Sequence, residues 1–255
     1  MRLPLSSGKG WSHRVLKPEL LETAGLALAE KNLHDMARIN QWFGPHRALL
    51  RVIKDLVSPQ EQFSLLDVGA GSGDMGNCIL KRFRHARVVS LDRRSIHLHN
   101  AQSPRVAADA FQLPFSSRAF DFVLCSSLLH HFPDSEVIKL AAELRRVARR
   151  ALIVLDLERH PLAYSFLPMT KRLFGWSPLT VHDGPVSVAA AFRPAELAAL
   201  VRAAGAGADS TIVRRHRPWF RISAVVWTRS AEKAEQNAAR AENTSHRRMV
   251  SSAAG

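Results

Sequence analysis

Two adjacent histidines, His130 and His131, close the stretch "FVLCSSLLHHF" (122–132) at the end of an apolar run. An imidazole titrates near pH 6.5, so a histidine at the rim of a sheet can serve as a general base or as a metal ligand, or can simply bond loop backbone. Aspartates recur at the ends of other apolar runs: Asp67 in "LLDVG", Asp92 in "VVSLD", Asp109 in "RVAAD" and Asp156 in "IVLDL". Beside the first lies a glycine-rich turn, "DVGAGSGDMG" (67–76). Its Gly71, Gly73 and Gly76 satisfy a G-x-G-x-x-G search, but the glycine that directly follows the apolar run is Gly69. Counted from Gly69 the motif is G-x-G-x-G, with Asp74 where a dinucleotide fold needs its third glycine, which argues against an NAD-dependent dehydrogenase.

These residues need a scaffold that brings strand ends together. Residues 17–57 read as helical, with Leu49, Leu50, Ile53 and Leu56 at helical spacing. Short buried-type strands then alternate with helices: strands over 63–69, 86–92, 104–109, 120–127 and 150–157, and a helix over 134–149 with Asp134 as its N-cap. A segment rich in aromatics and proline (158–192) precedes a helix over 193–205, which has Pro194 in its first turn and Gly205 at its end. "STIVRRH" and "FRISAVVWT" read as a closing hairpin. Such alternation predicts an α/β fold, a Rossmann-like and mostly parallel seven-stranded sheet with helices on both faces and the last strand antiparallel. Ligands of such sheets bind beyond the carboxyl ends of the strands, where the singled-out residues lie. The organisation expected is a helical cap over 1–60, a main domain over 61–228 with 158–192 as an insertion covering the substrate, and a disordered tail over 229–255.

The glycine turn with Asp67, Asp92 placed 21 residues after Gly71, "AADAFQLPF" (107–115) and "FDFVLCSSLLHHFPD" occur in the register of the class I S-adenosylmethionine (SAM)-dependent methyltransferases, which the chain resembles over 63–157. The resemblance implies SAM as cofactor, with Asp67, Gly69, Ala70, Gly71 and Gly73 forming its loop. Asp92 would bind the ribose hydroxyls with Arg93 beside it, Asp109 and the Ala110 backbone would face the adenine, and Ser126 would close the site. Small residues allow close backbone approach, and carboxylates pair hydroxyls and amines that would otherwise be buried without partners.

Within that superfamily the histidine stretch looks like the ubiquinone/menaquinone-biosynthesis-like small-molecule group. The resemblance implies that His130 or His131 acts as base towards a hydroxyl, with Asp156 orienting it. The insertion, with Tyr164, Phe166, Leu167, Phe174 and Trp176, would line a pocket for a lipophilic aromatic, polyketide- or quinone-like acceptor. His160, His182 and Asp183 are its candidate substrate contacts. Simple core packing is the bland alternative for the same residues. No D/N-P-P-aromatic motif follows the fourth strand, which counts against methylation of base amines, and Cys125 lacks the Pro-Cys context of cytosine C5 enzymes. Strand-end Ser126 and Ser127 in place of clustered carboxylates argue against a resident metal.

Composition sets the remaining bounds. The formal net charge of +14 divides as +4, +8 and +2 over residues 1–60, 61–228 and 229–255, so it is spread along the chain and forms no basic arm. A nucleic-acid or protein methyltransferase exploiting that surface is the competing reading, and a SAM-fold binding protein without turnover is a third. Two cysteines without CxxC spacing, no apolar leader and no run near the 18 residues of a membrane span predict a cytoplasmic protein. Peripheral membrane contact and the oligomeric state stay open.

Overall fold

The computed structural model describes residues 11–205 and 210–228. Seven strands form one sheet: β1 (Phe63–Val68), β2 (Ala86–Asp92), β3 (Arg105–Ala107), β4 (Phe120–Ser126), β5 (Ala148–Leu157), β6 (Thr211–His216) and β7 (Arg221–Trp227). Their order is β3-β2-β1-β4-β5-β7-β6. β1 pairs in parallel with β2 and β4, and β4 with β5, while β7 runs antiparallel to both its neighbours. The order reverses at β1, so the ends of β1, β2 and β4 open onto one crevice. The tail expected over 229–255 lies outside the described residues.

Strand alternation divides the core into two layers. Leu66, Val68, Val123, Cys125, Leu152 and Val154 face one way and pack with Val137, Leu140 and Leu144 of α4 (Asp134–Val147) and with Leu197 and Val201 of α7 (Pro194–Ala203). Leu65, Phe122, Leu124, Ile153 and Leu155 face the other way, against Leu49 and Ile53 of α2 (Pro45–Lys54) and Met75 and Ile79 of α3 (Asp74–Arg82).

Three expectations are sharpened. The span 17–57, read as helical, forms a 3-10 turn (Leu20–Glu22), α1 (Leu26–Trp42) and α2. The break is at Gly44, whose φ of +95° suits glycine and whose β carbon, if it had one, would lie 2.1 Å from Trp219 Cγ. Asp134 is the first residue of α4 and not its cap; Pro133 takes that place, and the Asp134 carboxylate pairs with Arg14. The aromatic segment after β5 folds into α5 (Pro161–Phe174) and α6 (Pro178–Ala190), with Pro168 and Pro185 inside them.

Candidate active site

The glycine turn follows β1 and feeds α3. Gly69, Gly71 and Gly73 have φ of +70°, +53° and +74°, which only glycine adopts freely. A β carbon at Gly69 would lie 2.8 Å from Leu128 Cδ2, whereas at Gly71 the nearest atom would be Leu33 Cδ2 of α1 at 3.6 Å. Gly69 and Ala70 donate their amides to the Leu91 carbonyl, and the Gly71 amide donates to Asp92 Oδ2 at 3.0 Å, so the turn is tied to the end of β2. Asp92 Oδ1 accepts from the Arg94 amide and lies 3.4 Å from His97 Nδ1. Burial works to raise the Asp92 pKa, but His97 and the two amides outweigh it and hold the carboxyl below the usual carboxylate range. Asp67, on β1, is buried and accepts from the Gly76 amide. Burial first, then the charges of Asp74 and Asp92, push its carboxyl up to about 7. Asp109 is exposed past β3, accepting from the Phe111 amide, and Arg93 is exposed beside Asp92.

A second cluster stands at the ends of β4 and β5. The chain leaves β4 at Ser126, Ser127 turns it with φ +51°, and a 3-10 turn over Leu129–His131 carries the histidine pair. His130 Nδ1 lies 2.7 Å from Asp156 Oδ1, and both side chains are buried. His130 Nε2 lies 3.7 Å from Glu19 Oε1, beyond hydrogen-bond reach, and the His131 ring stacks on His130 at 4.3 Å. Burial alone would depress the His130 pKa, but the two flanking carboxylates outweigh it and raise it to about 9. Burial likewise opposes ionisation of Glu19, yet His130, His131 and Ser187 bring it down to about 2. His131 goes the other way, to about 4, because burial and the charge on His130 disfavour its proton. The cluster therefore rests as carboxylate, imidazolium, carboxylate, with a neutral ring stacked against it. Asp156 Oδ2 is buried without a hydrogen-bond partner.

Glu19 reaches this place because the N-terminal segment is clamped down. Arg14 donates to the carbonyls of His130 and Phe132, and both Asp183 oxygens accept from the amides of Leu20 and Leu21. Asp183 is thus a buried clamp, with His182, half exposed, bonded to it. His160 caps α5 by accepting from the Leu162 amide and stacks on Phe220. Next to the cluster lies a cavity of about 400 Å3. Met36 and Ile39 of α1, Phe43 just past its end, Phe166 and Leu167 of α5, and Trp219 and Phe220 of the β6–β7 turn give it apolar walls. Leu157, whose amide bonds Asp156, and Ser187, whose hydroxyl bonds Glu19, also line it, so one wall of the cavity backs onto the histidine cluster, whose own side chains stand behind that wall. Arg221 lines it as well, and burial lowers its pKa to about 10.

The sequence matches the family described as "Methyltransferase domain" over residues 65–151, the span from β1 into β5. It is 27% identical over 197 residues to a ubiquinone biosynthesis O-methyltransferase of Xylella fastidiosa, covering 70% of this chain and 78% of that protein. A demethylmenaquinone methyltransferase of Thermotoga maritima is 27% identical over 153 residues, covering 58% of this chain and 62% of that one. The fold is also that of magnesium protoporphyrin IX methyltransferase of Synechocystis PCC 6803, solved with bound SAH (TM-score 0.50, 18% identity, 72% of this chain and 83% of that one). The chain is a class I SAM-dependent methyltransferase.

The methyltransferase's own residues fit that cofactor. Asp67, Asp74 and Asp92 crowd their charges around the glycine turn, which raises Asp67, and a cationic ligand relieves such repulsion. SAM carries both a sulfonium and an ammonium. Each Asp92 oxygen already takes a backbone amide and keeps lone pairs for further donors. Of the residues singled out from sequence, the structure brings His130, His131 and Asp156 into one cluster and Asp67, Gly69, Gly71, Gly73 and Asp92 around one turn. His160, His182 and Asp183 do not line the cavity, although His160 stacks on a ring that does. Sequence reasoning missed Glu19, Ser187 and Arg221. Glu19 sits in "KPELLE", where no spacing distinguishes it from a solvated charge. Glu19, His130 and His131 also bring potential ligand atoms within 4.8 Å of one another, a grouping able to hold a cation.

Proposed function

We propose that this methyltransferase methylates a hydroxyl of a small lipophilic acceptor, an alkylated phenol, quinol or polyketide-like aromatic, with His130 taking the proton. The observation that carries the reading is a buried His130–Asp156 pair directly behind two lining residues of an apolar cavity, Leu157, which bonds Asp156, and Ser187, which bonds Glu19. The similarity to quinone-pathway methyltransferases supports the same class of acceptor.

Bound SAM supplies an electrophilic methyl group on a sulfonium. In this reading Gly69, Ala70, Gly71 and Gly73 let the backbone approach the cofactor, Asp67 faces its cationic end, and Asp92 takes the ribose hydroxyls with Arg93 beside it. Asp109 and Ala110 would edge the adenine, and Ser126 would contact the cofactor. The cavity walls hold the acceptor ring, and fixing two reactants in line accounts for most of the acceleration such a displacement needs. Asp156 accepts from Nδ1–H of His130, which leaves Nε2 as the basic atom facing Glu19. A phenol titrates near 10 and His130 at about 9, so proton transfer between them is close to thermoneutral. His131, neutral and stacked, packs the base. Glu19 offsets the charge His130 gains.

Two variants separate binding from chemistry. Asp92→Ala weakens SAM binding by about ten- to hundredfold in calorimetry, the worth of charge-assisted hydrogen bonds. His130→Ala keeps SAM affinity and lowers kcat on alkylated phenols or quinols by a factor of roughly 100 to 10,000. Wild-type turnover in His130→Ala overturns the base assignment. EDTA leaves turnover unchanged when His130 acts by proton transfer; loss of activity restored by a divalent ion assigns Glu19, His130 and His131 to a metal instead.

A further inference from the structure

The helix that walls the cavity keeps an apolar face in water. Leu162, Met169 and Leu173 of α5 are 66%, 81% and 77% exposed. At positions i, i+7 and i+11 they form one stripe along the helix. No residue of α5 is buried, and the helix carries no acidic side chain, while Lys171 and Arg172 occupy its last turn. Isolated exposed aliphatics are ordinary, but three large ones in a single stripe mark a contact surface.

The stripe borders the cavity mouth, because Leu162 is both exposed and part of the lining. Cations surround that mouth. The Arg47 guanidinium lies over Trp219 at 5.8 Å and Arg217 over Phe220 at 5.2 Å, and both rings line the cavity. Arg215 and Arg217 share one buried carboxylate, Glu158, which leaves that pair of guanidiniums with an excess positive charge. An apolar stripe flanked by cations complements an anionic bilayer, with aliphatic side chains at the acyl boundary and guanidiniums at the phosphates. A second copy of the chain fits this face less well, since two such rims would set cation against cation.

We propose that α5 docks the methyltransferase on anionic phospholipid surfaces, with the cavity mouth turned towards the bilayer. Delivery of a lipophilic acceptor from the membrane rests on the acceptor reading above; the docking does not. The test is sedimentation of the full chain with vesicles of phosphatidylcholine alone or mixed with phosphatidylglycerol. The expected result is binding to the anionic vesicles, weakened by salt and at least tenfold weaker for Met169→Glu/Leu173→Glu, a variant that keeps SAM affinity because neither residue lines the cavity or the glycine turn. Failure to bind anionic vesicles, or equal binding by the variant, overturns the proposal. A solution mass of two chains that falls to one in the variant also overturns it, by assigning the stripe to a dimer. A protein that docks as expected but methylates no phenol or quinol overturns the acceptor reading alone.

Discussion

At the scale of single residues, the methyltransferase places one imidazole between two buried carboxylates. This raises the His130 pKa to about 9, so the ring is mostly charged at neutral pH and unable to accept a proton. Base catalysis by His130 then has a defined signature. On a phenolic acceptor, kcat/KM rises about tenfold per pH unit through neutral pH and levels near pH 9, as the neutral imidazole becomes the dominant form. Asp156→Asn removes the carboxylate that does most to raise the pKa, so the plateau moves to lower pH while kcat falls. A profile that is flat from pH 6 to 9, measured by initial rates, sinks the assignment. None of this was legible from "LLHHF" alone, because the pKa of an imidazole is set by what stands across from it. Here that is Asp156, at the end of the neighbouring strand, and Glu19, more than a hundred residues away in the chain.

At the scale of elements, the site depends on how the N-terminal helices seat on the sheet. Gly44 separates α1 from α2 at φ +95° and lies against the Trp219 ring of the β6–β7 turn. Gly44→Ala therefore meets both a left-handed backbone and an overpacked contact, together worth about 2–4 kcal/mol. The expected outcome is a lowered melting temperature, partly recovered when Trp219→Ala is added; full additivity of the two substitutions in a double-mutant cycle counts against the contact. Strand-scale expectations held well because β1, β2, β4 and β5 are short apolar runs, most of whose residues are buried and whose pattern is local. Residues 17–57 are largely helical, as their spacing predicts, and the break at Gly44 is marked both by Pro45 at the first position of α2 and by the contact with Trp219. The segment after β5 reads as an aromatic- and proline-rich insertion with no element assigned to it, and α5 and α6 accommodate its Pro168 and Pro185. For α6, burial of Leu179, Thr180 and Val188 supports the helix; α5 buries no residue and leans on the end of α1 through ring contacts of Phe174 with Trp42 and of Phe166 and Phe174 with the cap residue Phe43.

At the scale of the whole molecule, the buried cluster ties stability to acidity. His131 is held neutral down to about pH 4, whereas an unfolded histidine takes its proton near 6.5. Between those values the unfolded chain binds the extra proton, so stability falls as pH drops from about 6.5 to 4. Glu19, with a folded pKa of about 2, extends the loss below its unfolded value of 4.5. In urea unfolding, His131→Gln is expected to show a shallower loss between pH 6.5 and 4 than the wild type; equal slopes argue that His131 is not the group responsible. From sequence alone came the sheet with its order of alternation, the glycine turn and the aspartates at strand ends, all encoded by spacing within single segments, where strand period and turn chemistry act over a few residues. The cofactor came from the family resemblance that these segments carry together. Tertiary structure alone decided that Glu19 and Ser187 meet beside His130, that Asp183 clamps the N-terminal segment, and that an apolar cavity backs onto this cluster beneath a helix with an exposed stripe. Those features join residues far apart in the chain, and their charge states and burial exist only once packing has removed the water between them.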